Sequence, residues 1–160
     1  MQNAKLFVNS PNAIPGNEIK KCDTSSAAFQ SEEAGLVDFV GTSEEIYAQI
    51  RELVSYLPAN NEEEADYAAC EDDLNRIIPE MENYAHDARM VFAEVSDNNL
   101  FIELKKDYAK EMVTGFIKLN GMTVGVVANR TEVYDEEGNV AEKFDAVLSA
   151  KGCEKAAEFV

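Results

Sequence analysis

The chain has 160 residues, 46% of them hydrophobic, and its 31 acidic and 14 basic residues give a formal net charge of −17. That is enough for one ordinary domain or for pieces of two adjoining ones, and it excludes collagen, a disulfide scaffold and wholesale disorder. A field of this sign repels nucleic acid and anionic membrane surfaces, and it opposes polyanionic ligands unless basic residues or helix N-termini offset it locally. No apolar run approaches the length needed to cross a bilayer. The start, MQNAKLFVNSPNAIPGN, lacks the basic stretch and apolar core of a signal peptide, so a cytoplasmic location is expected. Cys22, Cys70 and Cys153 are scattered with no CxxC pair and read as reduced, incidental thiols.

The first stretch reads as mostly loop, with SPN, IPGN and CDTSS supplying turn residues at close intervals. LVDFV, residues 36–40, lies between two glycines and predicts a buried strand. A helix follows: Thr42 or Ser43 can accept from the first free amides, and Glu45 stands three residues after Thr42 as in a capping box. Ile46, Ile50, Leu53, Val54 and Leu57 then form an apolar packing stripe before Pro58 stops the helix. ANNEEEADYAACEDD reads as an exposed acidic linker and as the best domain boundary in the chain.

Beyond Pro79 a second unit is expected. Residues 87–96 predict a short helix with Met90, Val91 and Val95 on one side, and residues 100–104 a half-buried strand. Residues 112–119 and 122–128 predict a hairpin across Asn120-Gly121, a turn in which both residues take positive φ. Gly115 and Gly125, inside those strands, suggest close backbone approaches or bulges. Residues 135–139 form a further turn between 132–134 and 140–144. FDAVL, residues 144–148, predicts another short strand, and Ser149 opens a final helix that carries Cys153, Ala156, Ala157 and Phe159.

Side-chain chemistry is sparse. No GxSxG, HExxH, P-loop or GxGxxG occurs, and the single histidine, His86, excludes multi-histidine metal sites. His86 reads as a surface residue, and Lys20-Lys21 and Lys105-Lys106 as solvated lysines. The residues nominate no catalytic side chain, no metal ligand and no cofactor-binding residue.

Two stretches carry more. GLVDFVGTSEEIYAQIRELVSYLPANNEE, residues 35–63, resembles the segment that closes the N-terminal half of acyl-CoA carboxyltransferase subunits. DNNLFIELKKDYAKEMVTGFIKLNGMTVGVVANR, residues 97–130, resembles the opening of their C-terminal half, through Tyr108-Ala109-Lys110, Thr114-Gly115-Phe116, Leu119-Asn120-Gly121 and residues 124–129. The resemblance is to the carboxyltransferase subunit of biotin-dependent acyl-CoA carboxylases and decarboxylases, of the propionyl-CoA carboxylase beta and methylmalonyl-CoA decarboxylase alpha type.

It implies an α/β, partial crotonase-like (ββα) fold: residues 1–58 end the N-terminal half, 59–85 are an acidic linker, and 86–160 start the C-terminal half, truncated. It further implies acyl-CoA as substrate, biotin carried on a partner protein or domain, a biotinyl carrier protein as partner, and a homo-oligomer. In such subunits, backbone amides of glycine-paired loops stabilise the enolates of the acyl thioester and of biotin. This chain has no Gly-Gly, so no catalytic residue carries over and the chain is expected to be inactive alone. The region around residues 17–31 lacks the family's Leu-Gly-Gly, and residues 130–143 form a longer, more acidic loop than usual, which leaves the substrate open. The alternative is a non-catalytic crotonase-like binding or assembly module; a crotonase-type hydratase or isomerase ranks last. Severed edges should also make the isolated chain self-associate.

Overall fold

A computed structural model describes residues 1–7, 23–58, 60–62, 70–73, 75–79, 81–135 and 137–160. The first long element, α1 (Ser43–Val54), begins at the expected capping box. Glu45 N donates to Thr42 Oγ1 at 3.3 Å, and Thr42 N donates to the Glu45 carboxylate at 2.8 Å. That second bond holds the Glu45 carboxyl below its usual range. The helix leaves Ile50 and Val54 about half exposed, Leu57 beyond its end likewise, and Ile46 and Leu53 half-buried, so no residue of α1 is buried in a core among the described residues.

The centre of the molecule is a three-stranded antiparallel sheet in the order β1 (Phe101–Leu104), β2 (Met112–Leu119), β3 (Met122–Asn129). Asn120 (φ 53°) and Gly121 (φ 79°) make the β2–β3 turn as their sequence requires. Gly115 faces Glu103 across the β1–β2 ladder, and the Ile102 carbonyl lies where a Cβ would stand. Ile102, Met112, Val113 and Ile117 form the buried centre, with Tyr108 beside them. The helix α2 (Ala88–Val95), capped by Asp87, packs on β1 and β2. The helix α3 (Ala150–Phe159), capped by Ser149 accepting from Gly152 N, packs on β2. A small hairpin, β4 (Glu132–Tyr134) with β5 (Val140–Lys143), projects between β3 and α3.

Two residues just past α2 fasten it to the sheet. Lys118 N donates to Ser96 Oγ at 3.0 Å, and the Asp97 carboxylate accepts from Asn120 N at 2.9 Å and Gly121 N at 2.6 Å. The same strands hold the end of α1. Lys118 Nζ donates to Ser55 O at 3.0 Å and lies over the Tyr56 ring, while Thr123 Oγ1 donates to Tyr56 O at 2.7 Å. Arg76 donates to the carbonyls of Glu94 and Ser96, groups that a helix C-terminus leaves without internal partners, and it pairs with Asp72.

Two expectations need correction. Residues 36–40 are not a strand: Gly35 turns at φ 62° against the Tyr108 ring, the segment forms no ladder with a described strand, and Leu36 is 53% exposed. Residues 144–148 are likewise irregular. Phe144 N closes onto Thr131 O, and Val147 and Leu148 are exposed without a neighbouring strand. The early region carries one wide helical turn, Phe29–Glu33. Residues 59 and 63–69 of the acidic linker, together with Lys20, Lys21 and Cys22, lie outside the described residues.

Candidate functional site

The end of β3 delivers Arg130 into the interior, where it is 5% exposed. Its Nη1 stands 3.2 Å from Asp87 Oδ1, its Nη2 3.5 Å from Glu103 Oε1, and its Nε donates to Lys110 O at 2.5 Å. Arg89 Nε adds a second cation 3.3 Å from Glu103 Oε2. Burial pushes the Glu103 carboxyl above its usual range, against the pull of Arg130 and then of Lys155 and Arg89. Asp87 serves twice, since the oxygen facing Arg130 also accepts from Arg89 N at 3.0 Å and so caps α2. A chain of opposite charges thereby ties α2, β1 and the end of β3 together. Each carboxylate faces an opposite charge, as buried charges require, although Glu103 Oε1 is held only by the Arg130 ion pair and accepts no hydrogen bond.

Lys155, on the inner face of α3, is 1% exposed. Its Nζ donates to Lys105 O and Tyr108 O, both at 2.8 Å, and burial pushes its pKa down to about 8 with Glu103 opposing. It lines a cleft of about 330 Å³ between α3, the sheet and residues 36–38. The walls are Leu36, Leu104, Phe116 and Phe159. Lys105, paired with Glu158 at 2.5 Å, and Asp38 stand with them.

Of the residues weighed from sequence, His86 is exposed, with its ring 3.5 Å from Thr131 Oγ1 and its carbonyl accepting from Thr131 N and Glu132 N. Cys153 is exposed and Cys70 half-buried. Lys106 is solvated as expected. Lys105 is not: the turn it occupies at φ 50° lays its side chain along α3 and leaves it 11% exposed. No group of three or more His, Cys, Asp or Glu is placed to hold a metal among the described residues. Arg130, Asp87, Glu103 and Lys155 escaped sequence reasoning. Lys155 left a trace, since it shares a helical face with Gly152, Ala156 and Phe159, where a solvated lysine would not stand.

The model of the carboxyl transferase domain family matches residues 1–160. The chain belongs to that family. Its carboxyl transferase domain is 31% identical over 143 residues to the methylmalonyl-CoA decarboxylase subunit alpha of Propionigenium modestum, covering 82% of this chain and 28% of that one. It is 34% identical over 140 residues to the propionyl-CoA carboxylase beta chain of Cereibacter sphaeroides, covering 80% and 27%. In three dimensions it matches a transcarboxylase 12S crystal structure, a hexamer with methylmalonyl-coenzyme A and methylmalonic acid bound. That match has a TM-score of 0.74 and 27% identity over 99% of this chain and 31% of the other. The fold is thus the α/β, crotonase-like one of carboxyltransferases, and the chain spans under a third of the length of these relatives.

Gly121 and Gly138 do not fit an oxyanion-binding role for biotin or a thioester. Gly121 N–H is taken by Asp97 and Gly138 N–H by Asp135 O, so neither amide is free for a ligand. Among the described residues, no helix is long and apolar enough to cross a membrane.

Proposed function

We propose that this chain is the central section of the carboxyltransferase subunit of a biotin-dependent acyl-CoA carboxylase or decarboxylase, and that it is inactive by itself. The carrying observation is the family match from residue 1 to residue 160 in a chain that spans under a third of its relatives and contains no Gly-Gly. On this reading residues 1–58 end the N-terminal half, 59–85 link, and 86–160 open the C-terminal half. The parent moves a carboxyl group between an acyl-CoA and biotin held by a carrier protein. It works as a cytoplasmic homo-oligomer, with stabilising amides supplied by loops outside this section.

The test is a chimera in which this chain replaces the matching section of the Cereibacter propionyl-CoA carboxylase beta chain. Carboxyl transfer from propionyl-CoA carboxylase's carboxybiotin to propionyl-CoA is expected in the chimera and absent from the chain alone. A chimera that folds and assembles but transfers nothing would overturn the reading and favour the non-catalytic assembly module.

A further inference from the structure

We propose that the cleft beneath α3 is a binding site for a small monocarboxylate with an apolar body, independent of the carboxyltransferase chemistry. The volume, about 330 Å³, sits at the small end of the roughly 300–1,000 Å³ usual for small-molecule sites. Leu36, Leu104, Phe116 and Phe159 give it one apolar side, and Thr114 joins the charged residues on the rest of its lining. Phe116 and Phe159 lie 5.3 Å apart at 55°, a tilted pair against which a ring or branched chain packs well.

The charges select the ligand. Lys105 and Glu158 neutralise each other at 2.5 Å, which leaves Lys155 and Asp38. Lys155 has three donors and spends two on neutral carbonyls, so the third has no partner among the described residues. Glu103 and Glu111 act on its charge from the sheet side, and Arg130 and Lys105 oppose them. A carboxylate entering the cleft gives that remaining donor a charge-assisted bond. Asp38 is exposed among the lining residues and disfavours a second carboxylate, so dicarboxylates are rejected.

Benzoate is the probe, titrated into the isotope-labelled chain and followed by NMR, with benzamide and phthalate as comparators. Saturable shifts are expected at Phe116, Phe159 and Leu104, with an affinity on the order of millimolar. Benzamide and phthalate should each bind about tenfold more weakly. K155M should lose the preference for benzoate over benzamide while keeping its fingerprint. Should K155M fail to fold, L36W decides the matter, because Leu36 is 53% exposed and a larger ring there fills the cleft without disturbing the core. Unsaturable shifts, equal affinity for benzamide, or unchanged benzoate binding in L36W would each overturn the proposal.

Discussion

The two strand glycines should respond in opposite directions to the same substitution. In Gly115→Ala the new Cβ would stand 2.0 Å from Ile102 O and 2.7 Å from Phe101 Cε2. The first of these is backbone, fixed in the β1–β2 ladder, so relief requires the strands to part. Overpacking typically costs ~1–3 kcal/mol, and a clash with backbone belongs at or above the top of that range. For a chain of this length each kcal/mol moves Tm by about 2–4 °C, so the expected loss is roughly 6–12 °C. In Gly125→Ala the Cβ meets the Phe159 ring at 3.4 Å and Phe116 at 3.9 Å, ordinary contact distances. Glycine in a strand costs ~0.5–1 kcal/mol relative to alanine, so this variant should hold or gain stability. Thermal and urea unfolding followed by circular dichroism measure both. A Gly115→Ala chain within about 1 kcal/mol of the parent, or a Gly125→Ala chain that falls as far as Gly115→Ala, would refute the assignment of the close approach to Gly115.

Arg130→Met should destabilise by about 3–5 kcal/mol because it strands Asp87 and Glu103. The double variant with Asp87→Asn should recover part of that loss in urea titrations, and simple additivity would count against the network. For Lys155, the folded pKa of about 8 lies below the unfolded value of 10.5. The unfolded state therefore binds more protons between those values, and stability should climb as pH rises through that window. Urea midpoints from pH 7.5 to 9.5 should show this slope in the parent and lose it in Lys155→Met. The upper limit avoids Tyr56, which burial pushes up to about 12 and which reverses the sign above its ordinary value of 10. Thr42→Ala removes one arm of the capping box and should cost about 1 kcal/mol by the same titration. Finally, Ile50→Glu with Val54→Glu should leave stability nearly unchanged while lowering self-association in sedimentation, since both side chains are already about half exposed.

What was legible in the sequence was local. The Thr42–Glu45 box, the Asn120-Gly121 turn, the Asp87 start of α2 and the Ser149 start of α3 each depend on residues within a few positions, and each stands where the spacing put it. Residues 36–40 and 144–148 show the limit of that logic. A short apolar run reads alike whether or not it pairs into a sheet, and neither of these runs pairs with a described strand. The buried charges were invisible for a related reason. Arg130 finds Asp87 across 43 positions and Asp97 finds Gly121 across 24, pairings that only the closed fold creates. The crotonase-like fold itself came from family resemblance, since periodicity alone reached no further than a mixed α/β chain.

The attachments on either side of the acidic stretch converge on one corner of the molecule. Tyr56 is clasped by Thr123 and Lys118, and Asp72 and Arg76 seize Asn98 N and the carbonyls that end α2, beside the same β2–β3 turn. A protease that severed the chain between residues 57 and 71 would therefore cut it without parting it. The two pieces would travel together through gel filtration until denaturant released them.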